Sequence, residues 1–401
     1  MYLNEHHIEM KKFKLSLLFI ISLSLNSCLS QDWVQIGEEI VGDERLNRIG
    51  LTYDLSSQGN TIAVTYSDRP NFVKVFELQN SQWVQVANTI VSKSKNSSFG
   101  DHLSINETGN LILISESQKN GNSIQNGIIH FLEKQNNNWI NRDSLIGKKN
   151  NNHLGLSLKT NSSGSVVATA QKSNEQMEGQ YNYEEVLVFH KNGGTIERLA
   201  KTITINTPNS ISKNLNLSND GKTIVINYST SINDKHYAIF EIHKISNRSF
   251  EKTHTLKIEK QNYFDVVNLS LSGNGQYLLL GFPDYRTEEK VALGKVVIYK
   301  IKDAEFEQIG GQITGENKYD YFGHRISINH NGNIISVTTS TSSIHKNGYV
   351  KTYKLENNKW EQVGSTLKGL NTILNGAGNI LAIGNYRSNN QNGAIKIYKF
   401  K

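Results

Sequence analysis

The chain is poor in the residues that punctuate or staple a fold: 401 residues hold one cysteine and three prolines. A lone Cys28 excludes a disulfide within one chain. With so little proline and no long linker, nothing marks a boundary to a further globular domain. No apolar run is long enough to span a bilayer; the longest, Leu15 to Leu25, is a leader-sized segment. The net charge of +7 is spread over the loops without the basic run that marks a nucleic-acid surface. Chemistry motifs are missing as well: there is no His-Glu-x-x-His, phosphate loop or nucleophile elbow. Ser210-Ile211-Ser212-Lys213 fits Ser-x-x-Lys, but it lies where a strand is expected and lacks the partner motifs.

What the chain does have is a repeat. A turn glycine recurs as Gly59, Gly109, Gly164, Gly221, Gly275, Gly332 and Gly378, in steps of 50, 55, 57, 54, 57 and 46 residues. Nine residues before it stands a second glycine in five copies, Gly50, Gly100, Gly155, Gly323 and Gly369; Ser212 and Val266 replace it in the other two. An aromatic or apolar marker gives the same count of seven: Trp33, Trp83, Trp139, Ile196, Phe250, Phe306 and Trp360. Each unit holds four short extended runs, here lettered A to D, separated by turn chemistry. The A to B turn is a glycine hairpin, as in Ser218-Asn219-Asp220-Gly221-Lys222. Run B is apolar at nearly every position, as in Leu278-Leu279-Leu280, and so needs cover on both faces.

The fold class predicted is therefore all-β: a seven-bladed β-propeller of four-stranded antiparallel blades. The first marker, Trp33-Val34-Gln35-Ile36-Gly37, is a D strand without its A, B and C, and the last copy stops after strand C at Tyr398. Residues 33 to 40 are thus expected to close the last blade as its outer strand, removing an open sheet edge. The domain division is residues 1–30 as a leader and 31–401 as the propeller.

Lys11, Lys12 and Lys14 before the apolar core give the leader its charged start, and Met10 is an alternative first residue. Two readings of its end stand open. Leu25-Asn26-Ser27-Cys28 resembles a bacterial lipobox with Cys28 lipidated, whereas cleavage after Ser30 would leave Gln31 first. Either reading places the protein outside the cytoplasm, as an outer-membrane or cell-surface lipoprotein or in secreted form.

His102 and His324 follow the Phe-Gly glycine and His153 precedes Leu154-Gly155, but they share no register, so strand-entry hydrogen bonding is expected and not a metal. The turns offer Asn, Ser or Gln where calcium would need carboxylates, so neither a metal nor another cofactor is expected. The recurrent Trp is expected to pack between blades, not to act as a sugar platform. The B to C and D to A loops are read as long and different in every copy, and in a propeller they share one face. On it the candidate binding residues are Tyr181 and Tyr183, Tyr285 and Arg286, Tyr319 and Tyr321, and Tyr386 and Arg387.

At Trp-x-Gln-x-Gly, Phe-Gly, Ser-x-x-Gly-Asn and Gly-x-Val-x-x-Tyr the chain resembles the secreted propellers of Bacteroidetes with FG-GAP (integrin-alpha-like) or WD-like repeats, over residues 32 to 401. The resemblance implies a propeller at the cell surface or outside the cell, with an adhesive or scaffolding role. The sequence thus predicts a monomeric, non-catalytic scaffold that presents its loop face to a protein or glycan of the envelope, anchored to the membrane if Cys28 is lipidated. It predicts no nucleic-acid partner. The alternatives are a purely structural envelope protein, or a propeller enzyme acting on glycans at the central mouth. Asp101, His102, Asp265, Asp320, His324 and Arg325 stand on that side.

Overall fold

A computed structural model describes residues 31–43, 47–67, 71–92, 98–118, 125–148, 150–172, 184–199, 202–205, 214–246, 249–262, 265–303, 305–340 and 347–401. They form seven antiparallel sheets of four main strands each, and the only helix among them is the four-residue Ser388–Gln391. Within each sheet the strands run A, B, C, D from the axis outward. The inner strands are Tyr53–Leu55, Phe99–Ile105, Ser157–Thr160, Leu215–Leu217, Asn268–Leu271, Ile326–Ile328 and Asn371–Leu374, for blades 1 to 7 in turn. Blade 7 takes its outer strand from the other end of the chain: Trp33 pairs with Phe400 and Gln35 with Tyr398, and Ile40–Val41 continues alongside Ala394 and Ile395. The predicted closure is the observed one.

Burial follows from the layering. Strand B of blade 1, Thr61–Tyr66, and of blade 2, Leu111–Glu116, are buried at every position, because a sheet covers each of their faces. The core is not one mass but seven clusters, each filling one gap between neighbouring blades. The gap between blades 7 and 1 is filled like the rest, by Ile380, Ile395 and Ile397 against Ile49, Tyr53 and Ile62.

The repeated motifs have mechanical reasons. Each A to B turn is closed by the side chain three residues before its glycine: Asn106 accepts from Leu111 N at 3.0 Å, Asn375 from Ile380 N at 2.9 Å and Ser218 from Thr223 N at 2.9 Å. The backbone beside these turns makes a closed girdle around the axis. Glu107 N donates to Ser162 O, Ser162 N to Asn219 O, Asn219 N to Gly273 O and Asn274 N to His330 O; His330 N then donates to Gly376 O, Gly376 N to Ser57 O, and Gln58 N to Glu107 O. In Trp-x-Gln-x-Gly the glycine adopts a positive φ and the next blade's indole lies on it: Trp83 packs on Gly37 and Trp360 on Gly310. The indoles also donate backward, Trp83 to Ile36 O at 3.1 Å and Trp360 to Ile309 O at 3.0 Å. These tryptophans pack between blades, as expected.

The Phe-Gly motif meets the glycine that opens strand C. A Cβ on Gly294 would lie 2.2 Å from both the N and the O of Phe322, and φ there is +76°. Gly294→Ala is therefore expected to destabilise by about 2 to 4 kcal/mol, read as a lower urea midpoint with an unchanged slope. An unchanged midpoint would show that this contact is not needed.

Blade 4 departs from the expectation that every B to C loop is long. There Thr223–Ile232 turns directly into Lys235–Ser246 through Asn233 and Asp234, both at positive φ. Its outer strand, Ser249–Lys260, runs the full length of the raised hairpin.

Candidate active site in the axial channel

The inner strands project alternate side chains toward the axis, so the repeat register defines rings. Five residues before each turn glycine stand Asp54, Ser104, Lys159, Asn216, Ser270, Ser327 and Ile373; seven before stand Thr52, His102, Ser157, Asn214, Asn268, Arg325 and Asn371. The ordinary duty of these positions is to hold the next blade. Ser104 accepts from Thr160 N at 3.0 Å and Ser327 from Leu374 N at 3.0 Å, while Asn268 donates to His324 O at 2.8 Å and Asn371 to Leu51 O at 3.0 Å.

Asp54, His102 and Lys159 break that pattern on three successive blades. Asp54 does the clasping job, accepting from Ile105 N at 3.0 Å and Leu55 N at 3.1 Å, but with a carboxyl where other blades use a hydroxyl. Burial pushes its carboxyl above the usual range, opposed by the nearby Lys159 ammonium and by the two backbone donors. Burial pushes the His102 imidazole down to about 4, and Lys159 adds to the effect, so the ring is neutral at pH 7. No other described residue makes a hydrogen bond to the side chain of His102 or Lys159. A cavity of about 160 Å³ at the A to B end is lined by Asp54, Ser104, Lys159, Asn216, Glu107 and His330.

The opposite wall carries Arg325, on blade 6. No carboxylate among the described residues pairs with it; the phenol groups of Tyr53 and Tyr386 are the neighbours that act on it. Burial lowers the guanidinium's proton affinity, and Arg325 in turn supports burial in pushing His324 down to about 4. Burial alone raises the Asp101 carboxyl. The channel is thus asymmetric: an acid, a neutral base and an ammonium on one wall, an unpaired guanidinium on the other.

Of the residues the sequence placed at the mouth, Asp320 and Asp265 belong elsewhere. Asp320 is fully buried and ties a loop, accepting from Glu316 N at 3.0 Å, Asn317 N at 2.9 Å and the Tyr349 hydroxyl at 2.7 Å. Asp265 pairs with Arg286 at 3.1 Å. His153 is buried at positive φ, away from the other two histidines' register. Tyr386 reaches the Arg325 side of the channel, with the Arg387 guanidinium 5.7 Å from its ring centroid. Tyr285 and Arg286 lie instead at the groove between blades 4 and 5. Tyr319 and Tyr321 are held at φ +63° and +51° by a ladder to Val291 O and Ala292 O. Tyr181, Tyr183, Cys28 and Ser210 to Lys213 lie outside the described residues. The sequence reading missed Asp54 and Lys159; aligning the seven copies on their turn glycine would have exposed both as the charged members of a Ser and Asn ring.

The molecule is a seven-bladed β-propeller, and solved structures of that class align over most of its length. The hydrazine synthase of Kuenenia stuttgartiensis does so with a TM-score of 0.56 at 13% identity, covering 90% of this chain and 97% of that one. A putative 6-phosphogluconolactonase from Bacteroides fragilis gives 0.52 at 13%, covering 86% and 96%, and the periplasmic gluconolactonase of Pseudomonas aeruginosa 0.50 at 10%, covering 79% and 85%. No family model and no curated protein matches the chain. At these identities the likeness establishes the fold. The expectation of a non-catalytic scaffold is overturned as a reading, since these neighbours bear the names of enzymes.

Proposed function

We propose that this protein is a propeller hydrolase whose active site is the axial channel and whose substrate is a sugar-derived lactone, neutral or carrying an anionic group. The observation that carries the reading is the break in the inner rings at Asp54, His102 and Lys159, facing an unpaired Arg325. The lactonase names of two neighbours supply the substrate class. In the reaction, neutral His102 takes a proton from water as the water oxygen bonds to the lactone carbonyl carbon. Arg325 and Lys159 offset the charge on the carbonyl oxygen. Collapse of the tetrahedral species breaks the ring C–O bond, and the proton passes from the imidazolium to the departing ring oxygen, leaving a hydroxy acid.

The test is acid release from glucono-1,5-lactone and its 6-phosphate at mildly acidic pH, where the uncatalysed reaction is slow. Turnover above the buffer rate is expected with at least one of them. A folded protein no faster than buffer with both would end the reading.

The leader and the Phe-Gly and Trp-x-Gln-x-Gly repeats support an exported protein akin to the Bacteroidetes FG-GAP or WD-like propellers, meeting its substrate at the envelope. Intact mass from a native-type host decides its form. A diacyl or triacyl addition at Cys28 marks an anchored lipoprotein; a mass starting at Gln31 marks a released one. An unprocessed mass starting at Met1 or Met10 would refute export.

A further inference from the structure

We infer that the groove between blades 4 and 5 is a second ligand site, separate from the axial channel, that takes a single anionic sugar through Lys295. The groove is a cavity of about 190 Å³ bounded by the end of the raised outer strand of blade 4 and by strands C and D of blade 5. That is below the roughly 300 to 1,000 Å³ of sites for drug-sized ligands, which points to a monosaccharide and not an oligosaccharide.

Five charged side chains line it, Glu259, Lys260, Asp265, Asp284 and Lys295, and Glu259 pairs with Lys235 at 3.2 Å. Asp265 is engaged by Arg286 at 3.1 Å, and Asp284 accepts from Val266 N at 2.9 Å. Lys260 is buried and donates to Ser229 Oγ at 3.1 Å and to Asp265 O at 3.0 Å. Lys295 is different: no carboxylate among the described residues pairs with it. Its ammonium lies 4.1 Å from the centroid of Tyr285 and 5.6 Å from that of Phe282. Burial lowers its proton affinity with no opposing partner, as an uncompensated cation requires.

The rest of the lining has the chemistry of a sugar site. Tyr285, Tyr299 and Phe282 offer apolar ring faces, and Ile258 and Val297 form an aliphatic floor. Gln308 and Gln312 flank Gly310 and Gly311, where the strand bulges, and bring two amides to the same groove for hydroxyl recognition. The ammonium supplies the place for a carboxylate or phosphate.

Calorimetric titration of the mature protein with glucose 6-phosphate, glucuronate, inorganic phosphate and glucose tests this. One or both sugar anions should bind the wild type and the Arg325→Met variant alike, and bind Lys295→Met about tenfold more weakly, equivalent to about 1.4 kcal/mol. Glucose should bind at least tenfold more weakly than the sugar anion. Should Lys295→Met fail to fold, Gln312→Ala, at an exposed position, is expected to weaken the sugar anion severalfold. No binding to the wild type, or equal binding by the Lys295 variant, overturns the site. Loss of binding in Arg325→Met moves it to the channel, and inorganic phosphate binding as tightly as the sugar anions overturns the sugar part.

Discussion

Replacing His102 by Gln is expected to lower kcat for lactone hydrolysis by about 10² to 10⁴-fold with little change in KM, since the amide keeps the ring's volume and polarity but cannot take a proton. Arg325→Met should act on the other parameter as well, raising KM most for an anionic substrate. Because the His102 imidazole titrates at about 4, the wild-type rate should stay level between roughly pH 5 and 8 and fall only below that. Steady-state kinetics across that range provide the check. A variant within twofold of the wild type would remove His102 from the mechanism, and a rate falling through pH 6.5 would show an imidazole of ordinary basicity.

The same shift bears on stability. An imidazole titrates near 6.5 when exposed and at about 4 here, so between those values the unfolded chain binds the proton and the folded chain does not. The stability this histidine contributes is therefore present above 6.5 and lost as pH falls toward 4. His324, shifted the same way, adds to it. Each is expected to contribute on the order of 2 kcal/mol, discounted for the solvent in the channel, and the double variant should show a shallower acid slope in thermal melts.

Trp33→Ala is expected to cost about 3 to 5 kcal/mol. Trp33 is 6% exposed, its Nε1 donates to Thr352 Oγ1 at 2.7 Å, and its ring centroid lies 5.1 Å from that of Phe400. Beside it the two chain ends are tied by Asp32 N to Lys401 O at 2.9 Å and Lys401 N to Asp32 O at 3.0 Å. Losing the side chain opens the one blade assembled from both termini, and every interblade cluster has a neighbour around the ring, so the whole transition should move. Trp33→Phe keeps much of the packing and should cost about 1 kcal/mol from the lost indole bond. Chemical denaturation decides the matter: an unmoved midpoint for Trp33→Ala would mean that the closing strand lies outside the cooperative unit.

The sequence by itself determined the blade count, the strand order and the closure. Those depend on local signals that repeat: a glycine that must take positive φ, an Asn or Ser that closes the turn behind it, an apolar strand that needs two covered faces. Only the ring decided the site. Asp54, His102, Lys159 and Arg325 lie far apart along the chain; the sequence put His102 and Arg325 on the side of the mouth, but Asp54 and Lys159 each read alone as an ordinary polar residue on a short strand. Closing seven blades around an axis brings them to one channel as members of two successive rings, Asp54 and Lys159 in one and His102 and Arg325 in the other, where desolvation raises the Asp54 carboxyl and lowers the His102 imidazole. Such shifts depend on what surrounds a group in three dimensions, so no local pattern carries them. The raised hairpin of blade 4 and the groove beside Lys295 arise in the same way, from where two neighbouring blades happen to differ in height.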